Sequence, residues 1–151
     1  MGTRCQIEFK VNNETRRVYR HSDGYPEGVL PDLKEFLKWN EGRNTDIEYL
    51  TANFIYWSKR KYEELYLEKG KKWSDLDLGS NAYIKLGFGV CDNSEKHIHS
   101  DIEYFYKVIV KVVEDKKNIF EGKTTIKIAV YEVNENNELN LINTEKVKVE
   151  E

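Results

Sequence analysis

Proline, cysteine and histidine are scarce in this chain, which holds two, two and three of them among its 151 residues. Two cysteines do not form a disulfide framework in a chain of this length, so Cys5 and Cys91 are expected to be reduced and buried. Long hydrophobic runs are absent too, since each apolar run is far shorter than the roughly 20 residues of a membrane helix. The net charge of −3 argues against general nucleic-acid binding, which requires a basic face.

Charged residues make up 34% of the chain and hydrophobic residues 39%, as expected of a folded protein with a charged surface. This length suits one domain over residues 1–151 with a single core. The first residues, Met1-Gly2-Thr3-Arg4, run directly into a strand pattern and show no secretion signal. We therefore expect a cytoplasmic protein that does not bind a membrane.

The N-terminal residues alternate between apolar and polar side chains. Apolar residues stand at positions 5, 7, 9 and 11 and polar ones between them, which is the period of a half-buried strand. Residues 12–15 have the composition of a turn, and residues 16–21 are predicted to return as a second strand. On that strand one face carries Arg16, Val18 and Arg20, and the other carries Arg17, Tyr19 and His21.

Two helices follow, as indicated by capping signals and apolar spacing. Pro31 and Asp32 suit the first turn of a helix that Gly42 ends. Thr45 with Glu48 has the pattern of a capping box, which predicts that the second helix begins at Thr45. Gly70 is placed to end that helix. The first helix has an apolar face that includes Phe36, Leu37 and Trp39. The aromatic stripe of the second helix, formed by Phe54, Trp57 and Tyr62, is assigned to the core.

The remaining segments are predicted to form strands over 82–91, 102–112, 124–133 and 139–149. The strand over 102–112 is apolar on both faces, which is typical of a central strand. The last strand alternates lysines with valines, as guarded edge strands do. The order ββααββββ predicts an α+β domain, with a mainly antiparallel sheet of about five to six strands and two helices packed on one face.

The stretch from Tyr19 to Gly28 joins the hairpin to the first helix and concentrates chemically versatile side chains. Gly24, Pro26 and Gly28 force a change of direction there. The polar side chains are expected to converge beside a helix N-terminus, where backbone N–H groups bind anions, and to be dispensable for folding. A purely structural corner is the alternative, because turn chemistry alone explains Asp, Gly and Pro. The predicted ligand-binding residues are Arg4, Tyr19, Arg20, His21, Asp23, Tyr25 and Glu103.

Charge is unevenly distributed along the chain. Residues 1–21 hold five Lys or Arg against two Glu, whereas residues 132–151 hold six Glu against two Lys. A basic hairpin on an acidic body favours a small anion or an acidic protein partner. Glu103 has a second possible role, because it could pair with Arg20 or Arg4 and clamp the hairpin to the central strand.

The segments Met1-Gly2-Thr3-Arg4, Tyr19-Arg20-His21 and Asp23-Gly24-Tyr25-Pro26 resemble a family of small uncharacterised prokaryotic and phage proteins. Members begin with Met-Gly-Thr-Arg and carry an Asp-Gly-Tyr-Pro turn after a short hairpin. The segment from Asp101 to Tyr106 is similar to a later strand of that family. Ser22 departs from the family pattern, in which an aromatic residue precedes the aspartate. The resemblance implies a site at the turn and supplies no reaction.

Metal binding and catalysis have only weak signals. His97 and His99 would share one face of a strand, and Asp101 continues that face. With His21 and Asp23, or with Cys91, these are residue types that bind transition metals. A cysteine with His21 could form a nucleophilic dyad, and Asp23 and Glu103 could act in acid–base chemistry with His21. The chain has no phosphate loop, nucleophile elbow or metalloprotease motif. We therefore predict no catalytic residue, no metal site and no cofactor.

Three functions remain in competition. The favoured one is a non-enzymatic binding protein for an anionic ligand, nucleotide-like or phosphorylated, or for an acidic partner. The second is a small metal-assisted hydrolase that uses His21, Asp23 and the pair His97 and His99. The third is an interaction protein of a mobile element that inhibits a host system by docking to it.

Overall fold

The computed structural model describes residues 3–68, 87–91, 98–115 and 118–148. The chain order is ββααββββ, as predicted. Its elements are β1 (Cys5–Val11), β2 (Glu14–Arg20), α1 (Pro26–Trp39), α2 (Ile47–Glu68), β3 (Phe88–Val90), β4 (Tyr104–Asp115), β5 (Asn118–Val133) and β6 (Leu139–Val147). Predictions for Gly70, for residues 71–86, for His97 and for Val149 lie outside the described residues.

The strands form one mixed sheet in the order β3-β2-β1-β4-β5-β6. Every neighbouring pair is antiparallel except β1 and β4, which run parallel from Cys5 opposite Tyr104 to Val11 opposite Val110. The α+β class with a mainly antiparallel sheet is therefore confirmed. β4 is an inner strand and β6 is an edge strand, as the sequence pattern indicated.

The first helix begins earlier than predicted. Pro26 occupies its first turn and Tyr25 is the N-cap residue, whose carbonyl accepts hydrogen bonds from the N–H groups of Gly28 and Val29 at 3.0 Å. Pro31 lies inside the helix, where it lacks the N–H that would bond to the carbonyl of Glu27. The helix is thus opened by Pro26, which the sequence analysis had assigned to the preceding turn, and not by Pro31. Pro26 suits this position because the first helical residue needs no N–H donor.

The second helix begins at Ile47 rather than Thr45. Asp46 precedes it and accepts a hydrogen bond from the Glu48 N–H at Oδ1, at 3.2 Å. The residue that caps the helix is therefore Asp46, and the prediction of Thr45 is wrong by one position. The aspartate does the capping because its carboxylate reaches the second free N–H of the helix.

Three phenylalanines from three elements form the centre of the core. Phe9 of β1 contacts Phe36 of α1 and Phe54 of α2, with ring centres 6.4 and 5.2 Å apart. Phe36 and Phe54 contact each other at 5.1 Å, and all three side chains are fully buried. Each aromatic side chain buried in this way stabilises the fold by roughly 1.5–3 kcal/mol relative to an exposed one. Both helices are thereby held against the same side chain of β1.

The opposite face of β1 is buried with polar side chains. Gln6 and Glu8 are 1% and 8% exposed. Arg17 donates from Nε to Glu8 at 3.0 Å, and its guanidinium lies over the ring of Phe105. The Gln6 amide donates to Cys91 Sγ at 3.2 Å. This face is therefore closed by hydrogen bonds rather than by apolar packing alone.

Both cysteines are free, and only one matches its predicted burial. Cys5 is fully buried, whereas Cys91 is half-buried, so the prediction for Cys91 is wrong. Cys91 directly follows β3, which is the outermost strand at that edge of the sheet among the described residues. Among the helices of the described residues, none combines the length and the apolarity needed to cross a membrane.

Candidate functional site

The hairpin-to-helix turn is fastened to the start of β1. Asp23 adopts the left-handed region with φ of 55°. The Gly24 N–H donates to the carbonyl of Thr3 at 2.9 Å, and the Gly24 carbonyl accepts from Tyr106 Oη at 2.7 Å. A Cβ at Gly24 would lie 2.9 Å from the Cβ of Cys5, so only glycine fits this close approach.

Arg20 lies beneath this turn and is 1% exposed. Its Nε donates to the carbonyl of Ser22 at 2.8 Å, its Nη1 to Asp32 Oδ2 at 2.8 Å, and its Nη2 to Tyr62 Oη at 2.6 Å. The guanidinium therefore links β2 and the turn to both helices. A buried cation with this set of partners belongs to the fold and is not accessible to a ligand.

Asp32 of α1 is the acceptor at the centre of the same network. Besides Arg20, it accepts hydrogen bonds from Tyr62 Oη and from Lys61 Nζ, each at 2.8 Å. Burial disfavours the charged carboxylate, but the hydrogen bonds and the charges of Lys61 and Arg20 outweigh it and lower the pKa of Asp32. Burial also raises the pKa of the Tyr62 hydroxyl, which therefore stays protonated as a donor.

The predicted site residues are divided between the two faces of the sheet. Arg20 points to the helices, whereas Tyr19 and His21 lie on the opposite face because side chains alternate along β2. There, Tyr19 Oη and His21 Nδ1 are 3.0 Å apart, and the Tyr19 ring packs 5.5 Å from that of His99. The expected convergence of Arg20 with His21 is therefore absent.

Asp23 and Tyr25 remain at the turn. The Tyr25 hydroxyl donates to Asp23 Oδ1 at 3.3 Å, and 39% of Tyr25 is exposed. The adjacent cavity holds only about 10 Å³ and is lined by Ser22, Asp23, Tyr62, Gly87 and Phe88. That volume is about the size of one water molecule, so it has no room for a nucleotide.

Arg4 and Glu103 do not form the clamp that the sequence suggested. Arg4 pairs with Asp101 at 3.2 Å on the surface. Glu103 is exposed, and its backbone N–H donates to the carbonyl of Arg4 at 2.9 Å. Within the described part of the chain, the carboxylates that pair with Arg4 and Arg20 are those of Asp101 and Asp32.

Within the part of the chain that the structure describes, neither a metal site nor a reactive Cys5 is formed. Among the described residues no group of three His, Cys, Asp or Glu side chains is placed to hold a metal ion. Burial raises the pKa of the Cys5 thiol to about 12, so this cysteine is not a nucleophile at neutral pH.

A second cavity is a groove between α1 and α2. It has a volume of about 270 Å³ and is lined by Glu35, Trp39, Tyr56, Trp57, Arg60, Lys61 and Glu64. Trp39 and Tyr56 are 53% and 54% exposed, so both rings offer surface to a ligand. We call this set of residues the α1–α2 groove.

Two cations of the groove lie over its aromatic rings. The Arg60 guanidinium is 6.0 Å from the centre of the Tyr56 ring, and Lys61 Nζ is 5.1 Å from that of Trp57. Each cation also contacts a surface carboxylate, Glu64 at 2.9 Å from Arg60 and Glu35 at 3.1 Å from Lys61. Proteins that bind single-stranded nucleic acids combine aromatic side chains, on which the bases stack, with positive charges near the phosphates.

The sequence patterns did not predict this groove. Trp57 was assigned to the core and Trp39 to the apolar face of the first helix, but Trp39 is half exposed and Trp57 only partly buried. A signal was present in the i, i+4 spacing of Tyr56, Arg60 and Glu64, which places them on one helix face. The pairing of that face with Glu35 and Trp39 depends on helix packing.

In comparisons with protein families, curated proteins and solved structures, nothing matches this chain. The resemblance to small prokaryotic and phage proteins therefore stays a prediction.

Proposed function

We propose that this protein is a non-enzymatic binding protein whose α1–α2 groove takes a planar anionic small molecule of the nucleotide class. The ligand class is the one expected from the sequence, while the site moves from the hairpin-to-helix turn to the groove. The observation that carries the proposal is the presence of two cations over aromatic rings beside a cavity of about 270 Å³.

The exposed rings supply the stacking surface. Trp39 and Tyr56 each leave about half of their area to solvent, and burying such a ring against a base is favourable. Stacking of a base on an aromatic side chain contributes roughly 1–3 kcal/mol, as measured for single-stranded nucleic acids. A ligand without a flat ring would forfeit this contribution.

The cations supply the contact for an anionic group. Arg60 is held only by surface contacts, with 61% of its side chain exposed, so it can turn towards a ligand at little cost. Lys61 is 28% exposed and is anchored by the buried Asp32. One exposed cation and one cation anchored by Asp32 next to the rings favour a phosphate or carboxylate joined to a planar group.

Titration with three probes tests the proposal. Adenosine monophosphate combines the ring and the anion, adenosine carries only the ring, and inorganic phosphate only the anion. We expect the first to quench tryptophan fluorescence saturably and to raise the melting temperature, and the other two to bind at least tenfold more weakly. If adenosine monophosphate produces neither effect at millimolar concentration, the proposed ligand class is wrong.

Matched variants assign the binding to the groove. Trp39→Ala and Arg60→Ala should each weaken binding of adenosine monophosphate about tenfold. Tyr49 and Arg43 form a similar cation-over-ring pair outside the groove, with 5.1 Å from the guanidinium to the ring centre. Tyr49→Ala and Arg43→Ala should therefore leave binding unchanged. If these two controls lose as much affinity as the two groove variants, the ligand does not bind in the groove.

Docking of a protein partner is a second candidate function. Tyr49 is 52% exposed and extends the aromatic surface of α2 beyond the groove. Tyr, Trp and Arg are the residues most enriched at energetic centres of protein interfaces. In this case Trp39→Ala and Tyr49→Ala should both abolish copurification of a stoichiometric partner, and the three probes should leave the melting temperature unchanged.

A further inference from the structure

Lys61, one of the two groove cations, is paired with two carboxylates. Lys61 Nζ lies between Asp32 Oδ1 at 2.8 Å and Glu35 Oε2 at 3.1 Å. The two carboxylates differ in burial, because the Asp32 side chain is 8% exposed and that of Glu35 is 62% exposed. Asp32 is also bonded to Arg20 and Tyr62, whereas Glu35 lies in solvent.

This difference determines which contact an incoming anion replaces. Separating Lys61 from Asp32 would disturb a buried network in which each partner depends on the others. Separating Lys61 from Glu35 breaks an exposed ion pair, and such pairs are weak and screened by salt. An anion that enters the groove would thus displace Glu35, while Asp32 keeps Lys61 in place.

Arg60, which directly precedes Lys61 in α2, is also paired with an exposed glutamate. Its Nε contacts Glu64 Oε1 at 2.9 Å, and the two side chains are 61% and 60% exposed. In the free protein each groove cation is therefore paired with an exposed glutamate, Arg60 with Glu64 and Lys61 with Glu35.

We infer that Glu35 and Glu64 are internal competitors of the ligand, and that their charges lower the affinity of the groove for anions. The inference rests on the proposed function and specifies how the affinity of that site is set. Each glutamate occupies a cation in the free protein and repels the anionic group once it binds. Removing either charge should therefore strengthen binding, although it removes a contact seen in the structure.

The test compares Glu35→Gln and Glu64→Gln with the wild-type protein in calorimetric titrations. The first probe is adenosine monophosphate. Each variant should bind it about three- to fivefold more tightly. This is the size of effect expected when one negative charge, exposed to solvent and a few ångströms from the anionic group, is removed. The second probe is uncharged adenosine, whose affinity should not change, because the substitutions act on charge and not on the rings.

Glu138→Gln is the matched control. Glu138 lies in the turn between β5 and β6, is exposed, and does not line the groove. Its substitution changes the net charge of the protein by the same amount, so it separates a local effect from a general one. Melting temperatures of all three variants should stay close to that of the wild type, since the three side chains are exposed.

The outcomes separate the inference from the function on which it rests. If the wild type binds adenosine monophosphate and Glu35→Gln and Glu64→Gln bind it no more tightly than Glu138→Gln, the inference is overturned and the proposed function stands. Equal gains for adenosine would also overturn the inference, because they would show that the variants open the cavity. If the wild type does not bind adenosine monophosphate, both fail together.

Discussion

Arg20 of β2 and Asp32 of α1 form an ion pair, with 2.8 Å between Nη1 and Oδ2, although their side chains are only 1% and 8% exposed. The pair fastens the hairpin to the first helix, and Tyr62 and Lys61 extend it to the second helix. The polar residue at the centre of the predicted site is therefore a structural centre of the domain.

Arg20→Ala should lower the free energy of unfolding by about 3–5 kcal/mol, because it leaves the Asp32 carboxylate buried without its closest cation. This is the opposite of the outcome expected from the sequence, in which Arg20 was dispensable for folding. Urea unfolding measures the change. Arg43→Ala is the control, since Arg43 is exposed and should cost less than about 1 kcal/mol. Equal free energies of unfolding for the two variants would contradict the structural role of Arg20.

Acid should weaken the fold through Asp32. Its pKa is lowered in the folded protein, because hydrogen bonds and the charges of Lys61 and Arg20 overcome the effect of burial. As the pH falls, the unfolded chain therefore takes up this proton first. The stabilisation by the carboxylate is complete above its unfolded pKa of about 4 and is lost as the pH falls through the folded pKa.

The free energy of unfolding should consequently fall in acid more steeply for the wild type than for Asp32→Asn. The difference between the two proteins should shrink between about pH 5 and pH 2, and urea titrations at each pH measure it. A difference that is independent of pH over this range would show that Asp32 does not contribute through its charge.

Gly28→Ala should destabilise the protein by about 1–3 kcal/mol. A Cβ at Gly28 would lie 2.6 Å from the carbonyl oxygen of Asp23, a backbone atom that cannot move aside easily. The clash outweighs the gain of about 1 kcal/mol that alanine ordinarily brings to a helix. Gly89→Ala is the matched case, because nothing lies within 4 Å of a Cβ there, and its stability should stay within about 0.5 kcal/mol of the wild type.

The two cysteines should react with a thiol reagent at different rates. Cys91 is half-buried and should be labelled in the native protein. Cys5 is fully buried, with its pKa raised to about 12 by burial, and should be labelled only when denaturant unfolds the chain. Mass spectrometry of the labelled peptides distinguishes the two, with Cys91→Ser as the control. Fast native labelling of Cys5 would mean that the start of β1 opens readily.

Local patterns in the sequence were sufficient for the class and order of the elements. The alternation from Arg4 to Val11 identified β1. The expectation of a half-buried strand was wrong, because Gln6 and Glu8 on its polar face are buried as well. The starts of the helices show the limit of such patterns. The first helix begins at Pro26 instead of Pro31 and the second at Ile47 instead of Thr45, although both helices are present as predicted. The parallel contact of β1 with β4 joins segments far apart in the chain, and no local pattern encodes it.

The site depended on contacts that the sequence does not contain. The alternation along β2 predicted that Arg20 and Tyr19 lie on opposite faces of the strand. The partner of Arg20, however, is Tyr62, which lies 42 residues away in the chain. Whether an arginine binds a ligand or a buried aspartate follows from which side chains the packing brings to it. In the same way, Trp39 of α1 and Tyr56 of α2 line one groove only because the two helices pack side by side. Secondary structure is set over a few residues, whereas burial and charge pairing depend on the packing of the whole domain.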